Sequence, residues 1–283
     1  MNKAPWSNEK LKKLGKCIAA EQPIPDNLPS YDDVMLFYND AAAEAQRQIR
    51  ELDWESLLSG RPFEVTSRPK TIDTLRQKLL RDPAVGLQNI QDVAGVRFEA
   101  EMTLDEQDAV VTAITGLFGH DQEDCVKDLR TNAHSGYRAV HIWLRLPTRV
   151  EVQVRTHLQG AWANMYESMA DVIGREIRYD QLPDDEEERD WVETVHQLST
   201  RNIASLEAIK NRFSGEEDVL HKLRLTYQSL PRGQKRRRRK NLEKHERWYT
   251  ELIRDSSAME KEVSTLMRKV QATFDSMRSN GKD

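Results

Sequence analysis

The sequence predicts a mixed α/β or α+β domain followed by an all-helical, highly charged extension. Three observations carry this reading. Strand-like alternation and helical periodicity interleave up to about residue 180. The strand signal vanishes after residue 183. Charged residues make up 32% of the 283 positions against 38% hydrophobic ones, a ratio that suits long exposed helices better than one compact globule.

Taken in order, residues 1–30 are polar and punctuated by Pro5, Pro23, Pro25 and Pro29, and read as an arm with room for one short helix. Residues 31–58 are helical in pattern, with Leu36, Ile49 and Leu52 among alanines and charges and no Pro or Gly. Residues 59–70 break that pattern and read as loop. Residues 71–82 form a helix with Ile72, Leu75 and Leu79 on one face and Lys78 at its edge. Residues 92–102 read as a strand, because Val96, Phe98, Ala100 and Met102 alternate with Arg97, Glu99 and Glu101. Thr103 and Glu106 make a capping-box pattern before a helix through Phe118. A loop follows, then strands near 139–145 and 149–155. A helix over 157–173 buries Leu158, Trp162, Met165, Met169 and Ile173.

The acid run Asp184 to Glu188 suits a helix N-terminus, where carboxylates meet the positive end of the dipole. The last stretch sets Leu252, Met259, Val263, Leu266, Val270, Phe274 and Met277 in a coiled-coil-like seam. That stripe must be covered, either by the mixed domain or another tail helix, or by a separate partner.

Composition excludes several classes. With 12 Gly and 10 Pro the chain is neither collagen-like nor broadly disordered. No window approaches the run of about 18 apolar residues that a membrane span needs. The N-terminal residues lack an apolar core, so no signal peptide is expected and a cytoplasmic location is. Cys17 and Cys125 supply no disulfide framework, and with seven His they match no structural zinc spacing.

The segment Arg149–Arg155 carries most of the functional reading. Val150, Val152 and Val154 point to the core, while Glu151, Gln153 and Arg155 share the other face. On the preceding strand Val140, Ile142 and Leu144 alternate with His141, Trp143 and Arg145. Opposed residues of an antiparallel pair share a face. A two-residue loop would set Leu144 against Glu151, whereas a three-residue loop pairs Arg145 with Arg149, Trp143 with Glu151 and His141 with Gln153. The odd-length loop is therefore predicted. It gives one polar face with His141, Glu151, Gln153 and Arg155, which could also be an ordinary solvated face.

Asp92 stands just before the strand at 92–102. With Glu151 it could share Mg²⁺, an ion that favours oxygen ligands and bridges to substrate phosphates. Arg68, Lys70, Arg76 and Lys78 precede it, and such cations bind phosphate, though Arg76 reads better as a surface cation. Cations with carboxylates nearby are the layout expected for phosphoryl or pyrophosphoryl transfer, where positioning and charge neutralisation do most of the catalysis.

Four blocks resemble the RelA/SpoT synthetase domain: Ser67-Arg68-Pro69-Lys70 with Lys78; Asp92-Val93-Ala94-Gly95-Val96-Arg97; Ser135-Gly136-Tyr137-Arg138-Ala139-Val140-His141; and Val150-Glu151-Val152-Gln153-Val154-Arg155-Thr156. They stand in family order, with Trp162-Ala163 trailing. The resemblance implies an α+β fold, a nucleotidyltransferase-like mixed sheet flanked by helices, over residues 31–180. It implies transfer of the β,γ-pyrophosphate of ATP to a ribose 3′-hydroxyl. By position, Arg68, Lys70, Lys78 and Arg97 match ATP-side cations, and Asp92 the Mg²⁺ ligand. Glu151 matches the second acidic residue, assisting the metal or accepting the hydroxyl proton. Tyr137 matches the aromatic that stacks on the acceptor base, and His141, Gln153 and Arg155 match groups that hold acceptor or phosphates.

Two departures stand out. Many alarmone synthetases have a Lys shortly before the Gly-Tyr, where this chain has Asn132-Ala133-His134-Ser135. A Glu-His pair commonly follows the Trp-Ala, where this chain has Tyr166-Glu167. With no His-Asp hydrolase domain upstream, a small synthesis-only enzyme is expected.

The resemblance leaves the acceptor open. GDP or GTP would give the alarmone (p)ppGpp, and an adenosine nucleotide its analogue, while toxic small synthetases modify the 3′-CCA end of tRNA. An inactive RNA-binding or regulatory module is a third reading, against which the intact Asp92 and Glu151 speak. Residues 219–249 hold eleven Lys or Arg against Glu243 and Glu246, a balance of +9 inside a chain of net charge −4. The centre, 232–240, includes Arg236, Arg237, Arg238, Arg239 and Lys240 within the extension 184–283. Such a patch suits an RNA backbone, though it could equally be a solvated helix face or pair with the acid run. The tail could also self-associate or dock an antitoxin protein.

Overall fold

The structure, a computed structural model, describes residues 3–131 and 134–280; the side chains of Arg68, Pro69, His134, Ser214, Asp218, Arg232, Arg236, Arg237, Ser279 and Asn280 lie outside that description. The chain divides into two compact units. The first runs to Met102 and takes in Glu106–Thr131 and Ala139–His157; the second takes in Thr103–Asp105, the segment ending at Arg138, and everything from Leu158 onward.

In the first unit, helix α1 (Asn8–Ala19) is capped by the Ser7 hydroxyl and buries Leu11, Leu14 and Ile18. The first 30 residues are therefore not an arm: this apolar stripe belongs to the unit's main core. Helix α2 (Tyr31–Arg50) starts at a Ser30 cap with Asp32 and Asp33 in its first turn and ends on Arg47 and Arg50, so its charges complement its dipole. Its buried stripe includes Tyr38 and Ile49, and Ala41, Ala42 and Ala45 are small enough for close approach. Leu36 turns outward and is 61% exposed. Helix α3 (Trp54–Leu58) buries the Trp54 indole, whose Nε1 donates to the Ile49 carbonyl at 2.7 Å and whose ring lies 4.7 Å from that of Phe98.

The stretch read as a loop contains strand β1 (Phe63–Pro69). Gly60, Pro62 and Pro69 mask its alternation in the sequence, and its hydrogen bonds come from a distant partner. Helix α4 (Ile72–Arg81) follows a Thr71 cap and buries Leu75 and Leu79, with Ile72 half exposed. Strand β2 (Ala94–Ala100) leads to helix α5 (Leu104–Phe118), short helix α6 (Gln122–Cys125) and three-residue strand β3 (Val126–Asp128), which lies inside another stretch read as loop. Strands β4 (Val140–Arg145) and β5 (Arg149–Thr156) complete a five-stranded mixed sheet in the order β1-β2-β5-β4-β3. Among the described residues β2 and β5 pair in parallel and the other three pairings are antiparallel. Gln46 and Arg50 of α2 each donate to the Val65 carbonyl at 2.7 Å, which ties the edge strand β1 down.

The hairpin has the predicted register. Arg145 faces Arg149, Trp143 faces Glu151 and His141 faces Gln153 across the odd-length loop. Val65, Val96, Phe98, Val140, Ile142, Leu144, Val150, Val152 and Val154 are all buried in one core. The opposite face carries Thr66, Arg97, Gln153 and His141 in one row and Gly95, Glu151 and Trp143 in the next.

In the second unit, helix α7 (His157–Ile173) buries Trp162, Met165 and Met169 against helices α8 (Glu186–Gln197), α9 (Ala204–Ser229) and α10 (Arg232–Asn280). Besides its two short earlier segments, the second unit takes up the chain from Leu158, where the apolar face of α7 is filled by the C-terminal helices. Asp185 caps α8 and Glu186, Glu187 and Glu188 form its first turn, so the acid run does start a helix. A π-helical turn, Leu198–Ile203, joins α8 to α9. In α10 the buried hydrophobic residues are Val263, Met267, Val270 and Phe274, while Leu266 and Met277 are exposed. Val263, Val270 and Phe274 of the expected seam thus lie inside the unit's own core, with Met259 packed against it and Met267 buried in place of Leu266.

Gly136 shows how tight the second unit is. Its φ is +76°, and a β-carbon there would sit 2.8 Å from Trp162 Cζ2 and 3.2 Å from the His196 α-carbon. Gly136→Ala should cost roughly 1–3 kcal/mol, from the left-handed backbone and the overpacking together. Chemical denaturation measures this, and an unchanged midpoint would contradict the close packing.

Candidate active site

Two carboxylates dominate the polar face of the first unit. Asp92 lies in the turn before β2. Lys70, just past β1, reaches its Oδ2 at 2.6 Å, and Lys78, in the last turn of α4, reaches its Oδ1 at 2.6 Å. Burial pushes the Asp92 carboxyl up, but the two ammonium groups outweigh it and hold it below the ordinary aspartate value.

Glu151 is 7% exposed in the middle of β5. It is surrounded by donors: His141 Nδ1 at 3.3 Å, Trp143 Nε1 at 3.3 Å and Gln153 Nε2 at 2.8 Å. Burial again pushes its pKa up, and the hydrogen bond and charge of His141 with the Gln153 amide bring it below the usual glutamate value. The negative charge of Asp92 acts on Glu151 in the opposite sense, so the two carboxylates share one electrostatic neighbourhood.

The strand continues the network. Gln153 takes an Arg155 guanidinium hydrogen bond on its carbonyl while its amide donates to Glu151. Arg155 is 3% exposed and also approaches Glu99 at 3.5 Å. On this face Glu151 and Arg155 are therefore buried, His141 and Gln153 half-buried, and Trp143 exposed. Arg97 sits on the same face, beside Gln153 in register.

The structure brings together Lys70, Lys78, Asp92, Arg97, His141, Glu151, Gln153 and Arg155 on this one unit. The backbone of Arg68 pairs with Gly95 in the sheet, and its side chain lies outside the description. Tyr137 belongs to the second unit, half-buried against the cluster containing Trp162. Arg76 pairs with Glu21, which agrees with a surface cation. Trp143 was not singled out by chemistry in the sequence, although the predicted register already set it opposite Glu151. Lys127 of β3 lies 5.4 Å above its ring.

At the departure after the Trp-Ala, the Tyr166 hydroxyl meets His196 Nε2 at 2.7 Å, and Glu167 pairs with Arg178 at 2.7 Å. Asn132 and Ala133 lie outside the described residues. In the basic run, Arg238, Arg239 and Lys240 are exposed on α10; Arg239 pairs with Glu243 and Arg224 with Glu246. Among the described residues no ion pair joins this run to the acid run at 184–188. Nor is any helix there long and apolar enough to cross a membrane.

The fold and this face define a class: a mixed sheet that gathers paired, ionised carboxylates among cations. Residues 67–171 match the model of the family described as the region found in RelA / SpoT proteins. Two curated relatives, both uncharacterized, from Mycobacterium tuberculosis and Mycobacterium bovis, are 47% identical over 184 residues, or 65% of this chain. The chain spans about two thirds of their length, 66%. Among solved structures, small alarmone synthetase 1 from Bacillus subtilis matches with TM-score 0.47 at 19% identity, covering 65% of this chain and 98% of that one. The same enzyme bound to AMPCPP matches with TM-score 0.44 at 19% identity, covering 66% and 97%.

Proposed function

We propose that the chain is an ATP pyrophosphokinase of the (p)ppGpp-synthetase type. The 3′-oxygen of a ribose attacks the β-phosphorus of ATP, the bond from that phosphorus to the α–β bridging oxygen breaks, and AMP leaves. The hydroxyl proton passes to Glu151. The observation that carries this reading is that Asp92 and Glu151, both ionised, act on one another electrostatically among cations inside the matched region.

A hydroxyl is a poor nucleophile and needs a base within hydrogen-bond reach. Glu151 is ionised at neutral pH, and His141, Trp143 and Gln153 fix its orientation. Lys70 and Lys78 neutralise Asp92 now and can turn to phosphate oxygens when ATP binds, with Arg68 and Arg97 as further cations. Arg155 and Gln153 hold phosphate or acceptor, and Tyr137 stacks on the acceptor base.

Mg²⁺ fits this donor set. No group of three or more His, Cys, Asp or Glu suited to a metal occurs among the described residues, and Mg²⁺ typically takes one or two carboxylates plus substrate phosphates. Asp92 with Glu151 would hold it, and when bound it would neutralise charge developing on the transferred group.

GDP or GTP is the favoured acceptor. The 3′ end of tRNA is the second reading, favoured by the exposed cations of α10. Incubating the protein with γ-labelled ATP and, separately, GDP, GTP, ATP and deacylated tRNA decides between them. Labelled guanosine nucleotide is the expected product. Label on tRNA alone would move the acceptor to RNA, and label nowhere would sink the pyrophosphokinase reading. Replacing Arg238, Arg239 and Lys240 by Gln should leave nucleotide labelling within about twofold of wild type, and should lower tRNA labelling if tRNA is the acceptor.

A further inference from the structure

The segment that carries Tyr137 is fastened at three points inside the second unit. Ser135 is in the left-handed region (φ +52°), uncommon for a non-glycine residue, directly before Gly136 at +76°. Asp180 holds it: its Oδ1 accepts from the Ser135 amide at 2.6 Å and hydroxyl at 2.8 Å, and its own amide donates back to the hydroxyl at 3.0 Å. Gly136 is pressed against Trp162 and the backbone of α8 at His196. On the other side of Tyr137, the Arg138 guanidinium meets Glu207 of α9 at 2.6 Å, with the two side chains only 4% and 3% exposed.

The π-helical turn bears on the last contact. One extra residue per turn changes the phase of α9 relative to α8 by about 100°, a shift of one residue at 3.6 per turn. Glu207 follows that turn within one helical turn. A regular α-helix through 198–203 would direct Glu207 away from its present heading. Such π turns are rare and concentrate at functional sites.

We propose that Glu207 is a positioning residue: through the buried pair with Arg138 it fixes the Ser135–Arg138 turn, and so sets affinity for the acceptor through Tyr137. This rests on the pyrophosphokinase reading for its kinetic part only. The C-terminal helices would then be a working part of acceptor binding, and not merely an appended tail.

Two variants test it, Glu207→Gln and the double variant Arg138→Met/Glu207→Met. The first keeps size and removes charge. The second removes both charges, which in buried pairs is often neutral for stability, whereas leaving one charge unpaired is not. In Glu207→Gln, amide exchange in residues 135–138 should rise about tenfold, and the acceptor KM about tenfold with the ATP KM within about twofold. In the double variant the melting midpoint should return toward wild type while the acceptor KM stays raised. A merely structural pair would restore the acceptor KM together with the midpoint, and that result overturns the proposal. Unchanged exchange in Glu207→Gln, or both KM values rising together, overturns it as well. Should the double variant not fold, the exchange and KM results of Glu207→Gln decide alone. If wild type labels no acceptor, the functional reading fails, and the exchange measurement still decides whether Glu207 holds the turn.

Discussion

Glu151→Gln is expected to lower turnover by roughly 10²–10⁴-fold, the range for removing a general base. The variant should stay folded. Gln fills the same volume and keeps one oxygen to accept from Trp143 or Gln153, though its amide hydrogens now face donors. The stability loss should therefore stay near ~1–3 kcal/mol, the cost of a buried donor left unsatisfied. Transfer of label from γ-labelled ATP, read alongside thermal unfolding, separates the two effects. Full transfer by the folded variant would remove Glu151 from the mechanism.

Asp92→Asn should fail differently. It leaves Lys70 and Lys78 facing an uncharged amide in place of the carboxylate that each now meets at 2.6 Å. Without Asp92 the divalent ion loses a ligand, so the Mg²⁺ concentration for half-maximal activity should rise and kcat/KM for ATP fall by roughly 10–100-fold. Equilibrium binding of ATP without divalent ion should be kept or tightened, since the two lysines are no longer neutralised. Unchanged Mg²⁺ dependence, or metal-free ATP binding lost along with activity, would show that Asp92 serves the fold alone.

Much of the sheet is legible in the sequence where parity constrains it. In the β4–β5 hairpin a one-residue slip would move every valine to the polar face, so the alternation of Val150, Val152 and Val154 with Glu151, Gln153 and Arg155 selects the loop length and the cross-strand pairs. Strand β1 offers no such handle. It is short, bracketed by Gly60, Pro62 and Pro69, and its ladder is supplied by β2, some 30 residues on. Only tertiary pairing makes it a strand. The first helix escapes for a related reason: Leu11, Leu14 and Ile18 look like a marginal stripe until the core that receives them exists.

The site divides in the same way. Residue types at Asp92, Glu151 and Lys78 point to phosphate chemistry without a structure. The register sets Trp143 opposite Glu151, but the burial of Arg155 is not legible, because alternation alone does not tell a wet face from a covered one. In α10 the heptad-like spacing correctly marks the stripe at Val263, Val270 and Phe274, and departs from it at Leu266, where the neighbouring Met267 is buried instead.

The amide of Gln153 has a further consequence. An amide can be turned end for end, but with a guanidinium on one side and a carboxylate on the other it has a single low-energy orientation, carbonyl toward Arg155 and NH₂ toward Glu151. Glu151, Gln153 and Arg155 thus form one ordered relay along β5, carboxylate to amide to guanidinium, spanning about 13 Å at some 3.3 Å per residue. Turning the amide over would break both bonds at once, so the middle residue locks the headings of the two charged ones.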